Sequence, residues 1–251
     1  MPARDRPAQD AHEPGASSRL DRLMARRGLC SRREAARLIQ AGAVQVDGHG
    51  ITEPGRHVPL ACEIRCGDLA HGPTVLLHKA IGITSPAAVD EITAARCVAD
   101  VDQPLQAAAL QQRGRLRVAG RLDAASSGLL VATADGRVAR TLTAGSRIAK
   151  TYAVTLAGPV DDRLLHALRR IDRLDGEALL PMRIDRLAPD RLGFVLRQGR
   201  KHQIRRCCLQ LGLRVLRLER ERIGPWRLEG LQAGAWMAVD PAPLLRMEAG
   251  G

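Results

Sequence analysis

Apolar positions recur with two periods along this chain. In "RLDRLMARRGLCSRREAARLIQAG", Arg19 to Gly42, the residues Leu20, Leu23 and Met24 share one side of a short helix that Gly28 ends. Ser31 with Glu34 three residues on forms an S-x-x-E capping box, so a second helix is expected to run to about Gln40, with Gly42 as its left-handed stop. "AVQVDGHGIT" then alternates like a strand that turns at Asp47-Gly48 into another. Further on, strand-like runs ("TVLLHKAIGIT", "RLRVAGRLD", "GLLVATADG", "KTYAVTLAG", "LGFVLRQG") mix with helical patterns ("RVARTLTAG", "DDRLLHALRR", "IRRCCLQLG"). No regular crossover helix separates neighbouring strands. The pattern predicts a larger α+β domain around a mixed, mostly antiparallel sheet with flanking helices, preceded by a small α/β domain.

The expected organisation is a tail over residues 1–18, a small domain over 19–68, a Gly- and Pro-marked hinge over 69–75 and a larger domain over 76–251. The Pro-, Ala- and Asp-rich start, "MPARDRPAQDAHEPGASS", has no apolar core and reads as a disordered tail rather than a signal peptide. With 251 residues, 45% of them hydrophobic, the chain is long enough for a sizeable core. No long apolar span points to a membrane, and a cytoplasmic protein is expected.

Charge narrows the partners. A net charge of +12 describes a surface that seeks polyanions, nucleic acid first among them. The arginine excess itself is weak evidence, because only Lys79, Lys150 and Lys201 are lysines and such a bias fits genomic base composition. Aromatic residues make up 2% of the chain, too few for a surface of stacking platforms. Between Arg19 and Gln40 seven arginines face two acids, and Arg22, Arg26 and Arg33 are placed to line one phosphate-binding edge, against the alternative of a solvated helix face. The six cysteines include no C-x-x-C pair. His57, Cys62, Cys66 and His71 offer four zinc donors, but their spacing fits no standard knuckle, and buried thiols are the preferred reading.

One acid stands out. Asp123, in "GRLDAASSGLL", lies between a basic turn and an apolar run, where a surface ion pair with a neighbouring Arg is the ordinary expectation. "QGRKHQIRR", with Arg197 just before it, gathers five Arg and Lys residues and no acid around Gly199, which suits phosphate contacts.

The stretch from Arg19 to Asp68, with "SRREAARLIQAGAVQVDG", resembles the small RNA-binding module of ribosomal protein S-four. In order, "LLHKAIGITS", "GRLDAASSGLLVATADG", "KTY" and "QGRKHQIRR" resemble the motifs of the RNA pseudouridine synthases, in the RsuA branch whose members carry that same module. The resemblance spans roughly Arg19 to Val239. It implies isomerisation of a uridine without a cofactor: uracil leaves its ribose, turns, and rejoins through ring carbon five. The family's catalytic aspartate maps onto Asp123, which can attack or stabilise an electron-poor centre and then leave. Arg205 maps onto the arginine that pairs with this carboxylate, Tyr152 onto the tyrosine that stacks on the base and assists proton removal, and Ile204 onto the apolar wall of the base pocket. Arg121, Arg200, Lys201 and His202 are candidates to hold the opened strand, and Lys150, on Tyr152's strand face, to sit near the RNA backbone or Asp123. No metal is implied.

Ordinary readings remain for each: core packing for Tyr152 and Ile204, surface charge for the basic residues. The sequence also departs from the family pattern at Ser126 and Ser127 after the aspartate, at Ala80 in place of a turn proline, and at His78 in place of asparagine. The expected substrate is ribosomal RNA or a pre-ribosomal particle bound by a monomer, with 23S RNA favoured because "LRLERERIGPWRLEGLQAGAW" looks like the large-subunit enzymes. Small-subunit RNA, transfer RNA, a non-catalytic assembly factor and an RNA glycosylase remain as alternatives.

Overall fold

The computed structural model describes residues 16–40, 42–66, 72–98, 102–143 and 148–249. The chain divides into two compact units, residues 1–70 and 71–251.

In the first unit β1 (Ser17–Arg19) leads into α1 (Leu20–Arg26) and α2 (Arg32–Gln40), followed by β2 (Val44–Val46), β3 (His49–Ile51), β4 (His57–Pro59) and β5 (Ile64–Cys66). Ser31 caps α2 as the box predicts, its Oγ accepting from the Glu34 N–H at 3.2 Å. Gly28 and Gly42 end their helices at φ of 78° and 72°, and Asp47 with Gly48, both at positive φ, close the β2–β3 hairpin. Leu20, Leu23, Met24, Ile39 and Val44 are buried together. Asp21 is buried with them; burial raises its carboxyl, but hydrogen bonds from Arg19, Arg32 and the Arg22 backbone bring it below its usual value.

One expectation changes here. Ser17 and Ser18, assigned to the tail, pair with Pro59 and Val58 as part of β1 on β4, because a three-residue strand needs only a partner edge and not an apolar sequence. The tail up to residue 15 lies outside the described residues, as do 69–71 of the expected hinge. Of the residues weighed as zinc donors, His57 is in β4, Cys62 is buried and Cys66 ends β5, with burial raising both thiols. His71 lies outside the described residues.

The second unit contains β6 (Thr74–Lys79), α3 (Ser85–Asp90), α4 (Gln103–Gln111), β7 (Arg117–Val118), β8 (Ser127–Thr133), α5 (Gly136–Thr143), β9 (Lys150–Leu156) and α6 (Asp162–Arg169). There follow β10 (Arg173–Leu174), β11 (Glu177–Ala178), β12 (Arg183–Ala188), β13 (Arg191–Leu196), α7 (Gln203–Gln210), β14 (Val215–Ile223), β15 (Trp226–Arg227), β16 (Trp236–Val239) and α8 (Ala242–Ala249). The main sheet runs β12-β13-β9-β14-β8-β6-β16, with β15 on β14 and β7 on β8. Only the β14–β8 neighbours are parallel, so the sheet is mixed and mostly antiparallel as expected. Val154, Leu168, Phe194 and Cys207 join it to α6 and α7, while Leu129, Val138, Ile223 and Leu244 join it to α5 and α8. No helix among the described residues is long and apolar enough to cross a membrane.

The parallel pairing brings β8 and β14 unusually close at one point. Gly128 sits at φ 110°, and a Cβ there would lie 2.4 Å from the Arg220 carbonyl oxygen. That glycine lets β14 approach the start of β8, which follows directly on the Asp123 loop.

Candidate active site

The loop between β7 and β8 carries Asp123, and its backbone is held along its whole length. Six consecutive carbonyls, Gly120 to Ala125, accept hydrogen bonds: from Arg220 at Gly120 and Arg121, from Ser85 Oγ at Leu122, from the Ser126 N–H at Asp123, from the Gly82 N–H at Ala124 and from Arg205 at Ala125. Most of these contacts are 2.7–3.0 Å long, with the Arg220 contact at Arg121 a weaker 3.5 Å. Ser85 Oγ also accepts from the Leu122 N–H at 2.9 Å. A loop so pinned holds its side chains in place before any ligand arrives, which a reacting site requires.

Arg220 is the centre of this support. It is 1% exposed on β14, opposite Tyr152 of β9. Its guanidinium donates to Leu129 O and Gly120 O at 2.8 Å each and lies 6.0 Å from the centre of the Tyr152 ring. Lys79, fully buried at the end of β6, donates from Nζ to the carbonyls of Ala80 and Ile83 at 2.8 Å. Burial lowers its ammonium, with Asp123 opposing and Arg220 reinforcing the shift. The turn that lacks a proline at Ala80 is thus fixed by a buried lysine, and His78 Nδ1–H donates to Leu231 O at 2.8 Å.

Asp123 opens onto a cavity of about 940 Å³ walled by Tyr152, Ile204, Leu196 and Leu218. Seven Arg and Lys residues also line it, and Asp123 is the single carboxylate among the described lining residues. Ser126 Oγ, Gln198 Nε2 and Arg205 Nε are the buried side-chain polar atoms without a partner among the described residues, and all three residues belong to this wall. Buried polar atoms are nearly always satisfied, so three of them in one wall mark it as a place for a polar ligand. Lys150, 7% exposed in the same wall, has its ammonium lowered to about 8 by burial, with Arg220 adding to the effect.

Comparison with known proteins identifies the family. The family model described as RNA pseudouridylate synthase matches residues 74–210, and that of the S4 domain matches residues 18–61. The chain is 32% identical over 236 residues to the ribosomal small subunit pseudouridine synthase A of Pseudomonas aeruginosa, covering 88% of this chain and 96% of that one. It is 31% identical to the ribosomal large subunit pseudouridine synthase B of Bacillus subtilis, covering 92% and 96%. A crystal structure of a pseudouridylate synthase aligns with TM-score 0.61 and 26% identity over 91% of this chain and 99% of that one. The chain belongs to the RNA pseudouridine synthase family. It is therefore an isomerase, with the S4-type module of the RsuA branch.

The synthase brings Asp123, Tyr152, Lys150, Arg121, Ile204, Arg200, Lys201, His202 and Arg205 to one cavity, although they come from separate segments. Their contacts differ from expectation in three places. Arg205 does not grip the Asp123 carboxylate: its guanidinium donates to Ala125 O at 2.7 Å and Val215 O at 3.3 Å, so it fixes the loop's backbone instead. The carboxylate pairs with His202 Nδ1 at 2.9 Å. His202 reaches it because its backbone turns left-handed, φ 52°, at the head of α7, a conformation a non-glycine residue adopts only under local constraint. Arg200 is bound to Glu177 and to Ala178 O, which ties it to β11 rather than leaving it free for a strand. Lys201 and Arg121 are exposed, and no carboxylate pairs with either among the described residues. Ile204 is both core and wall.

In the first unit of the synthase, Arg22, Arg26 and Arg33 are exposed and form no side-chain ion pair among the described residues. Arg19 and Arg32 hold Asp21, Arg37 holds Glu34, and Arg27 donates to the Cys62 and Leu60 carbonyls. Of the seven arginines between Arg19 and Gln40, the three singled out from the sequence are thus the ones left over. Arg220, Lys79, Ser85 and Gly82 were not anticipated. The signal for Arg220 is an arginine at an inward position of the alternating run "LRLERERI", two residues after Leu218.

Proposed function

We propose that the synthase converts a uridine of ribosomal RNA to pseudouridine, with Asp123 as the covalent or electrostatic catalyst. The observation that carries this reading is the cavity in which one preset carboxylate faces seven cationic residues and three unsatisfied polar atoms. A flipped nucleotide supplies what that wall lacks: a planar ring for Tyr152 and Ile204, carbonyl and imide groups for the orphaned donors, and phosphates for Arg121 and Lys201. The reaction rearranges bonds within one nucleotide, so its atoms balance without a cofactor. Arg205 and Arg220 hold the loop, and His202 holds the carboxylate until RNA enters. Arg22, Arg26 and Arg33 supply a separate phosphate contact from the S4-type unit.

The large subunit is the favoured target on the likeness of Leu216–Trp236 to large-subunit enzymes. The Pseudomonas relative, named for the small subunit, supports the second reading. Incubating the protein with unmodified 16S and 23S RNA and with assembly intermediates, then mapping carbodiimide-dependent reverse-transcription stops, tests both. A new stop in 23S RNA, lost in Asp123→Ala, is expected. A stop confined to 16S RNA selects the second reading. Tight binding with no stop on any substrate would sink the catalytic assignment.

A further inference from the structure

The isomerisation moves a proton as well as a base. Once ring carbon five bonds to the sugar it carries both its hydrogen and the ribose. That C–H bond must then break, its electron pair restoring the C5–C6 double bond while the C6–N1 pair returns to N1, which takes up a proton. Some group in the cavity receives the first proton.

Three buried cations surround the Asp123 loop, and two are committed. Arg220 donates to Leu129 O, Gly120 O and Arg121 O, and Lys79 to Ala80 O and Ile83 O. Lys150 has one long contact, Nζ to Leu142 O at 3.5 Å, and no carboxylate within ion-pair reach among the described residues. Its Cε lies 3.9 Å from where a Cβ on Gly120 would stand, which sets the lysine beside the start of the Asp123 loop in the cavity wall. It lies two residues from Tyr152 on the same buried face of β9. We propose that the Lys150 amine accepts the proton from ring carbon five, and that the resulting ammonium or water returns one to N1. The inference rests on the cavity being the uridine site.

Among the described residues, the charged and titratable groups that line the cavity with Lys150 are Arg220 from β14, Arg121 and Asp123 from the loop, Tyr152 on its own strand and the basic segment 197–205. Cations dominate that set, which favours the neutral amine, and burial acts in the same direction to bring the ammonium to about 8. A base is most effective when it titrates near the working pH.

The test uses the full-length protein on ribosomal RNA transcribed with uridine tritiated at carbon five, following tritium release together with pseudouridine formation. In the unmutated protein, release should rise with pH and level off above about 8. Lys150→Met and Lys150→Arg should each release tritium ~100-fold more slowly and lose that limb, since neither side chain accepts a proton. Lys150→Ala should recover with added methylamine, in proportion to its free-base form. Filter binding and melting establish that each variant folds and binds RNA. Release within ~3-fold of the unmutated rate in folded Lys150→Met, or folded Lys150→Ala unmoved by methylamine, overturns the assignment, as does loss in Tyr152→Phe with retention in Lys150→Met. Should the unmutated protein make no pseudouridine, the proposed function fails instead.

Discussion

Replacing Arg220 by methionine removes the cation that joins β14 to the Asp123 loop. Two of its contacts, to Leu129 O and Gly120 O, are 2.8 Å long. Hydrogen bonds from charged donors contribute about 1.5–3 kcal/mol each, so roughly 3–6 kcal/mol is lost, and relief from burying a guanidinium returns part of it. A net loss of about 2–4 kcal/mol follows, which lowers Tm by roughly 5–15 °C in a protein of this size. Activity should fall further than stability, because a displacement of about 1 Å at Asp123 costs on the order of 100-fold in rate. Arg220 also lowers the Lys150 and Lys79 ammonium groups, so its removal lets both rise toward their usual 10.5. Any pH dependence carried by Lys150 should then move to higher pH. Arg220→Lys keeps a charge but cannot span the same carbonyls, and should fall between the two. Circular-dichroism melting and pseudouridine formation across pH read these effects. Arg220→Met with unchanged Tm and unchanged turnover would refute the claim that this residue supports the loop.

Other substitutions separate the remaining contributions. Gly128→Ala would drive a Cβ to 2.4 Å from the Arg220 carbonyl at φ 110°, so a loss above about 3 kcal/mol, seen as insoluble or early-melting protein, is expected. Lys150→Met should stabilise the fold at pH 7 by up to about 3 kcal/mol, since the ammonium falls from 10.5 to about 8 on folding. The unfolded chain binds the extra proton between those values, so the unmutated protein gains stability as pH rises from about 8 toward 10.5, and denaturation curves of the variant should lack that gain. Replacing Arg22, Arg26 and Arg33 together by alanine should weaken RNA binding at least ~10-fold and flatten its salt dependence by about 2–3 in log–log slope, with melting unchanged; a retained slope would place the phosphate contacts elsewhere.

Asp123, Tyr152, Ile204 and the basic segment were legible because they sit in short segments whose order is itself a pattern. Their meeting at one cavity follows from the sheet, where β9 lies beside β14 and β14 beside β8. Contacts within the cavity were not legible. A motif says that Arg205 is near Asp123, yet which oxygen its fork reaches depends on the backbone of "DAAS", whose Ala125 carbonyl turns toward it. "RLRVAGRLD" alternates like one strand, but only Arg117–Val118 pairs, because Gly120 at φ 88° turns the chain and Arg220 takes its carbonyl. Arg220 itself was hidden in "RLERERI", whose charges suggest solvent. A register shift between Arg220 and Arg222 breaks the simple alternation and returns Ile223 to the core.

The cost of that arrangement points to its use. Lys79, Lys150 and Arg220 are all buried; burial lowers both ammonium groups and the Arg220 charge lowers them further, with Asp123 the carboxylate that opposes this at Lys79. A stable fold alone would place apolar side chains at such positions, since buried charge rarely adds stability. Backbone carbonyls offset much of the penalty for Arg220 and Lys79, and in doing so they become fixed themselves. Lys150 has little such compensation. Its energy is lowered when an acceptor enters the cavity or when it gives up its proton, and a uridine undergoing isomerisation offers the first and requires a group that has done the second.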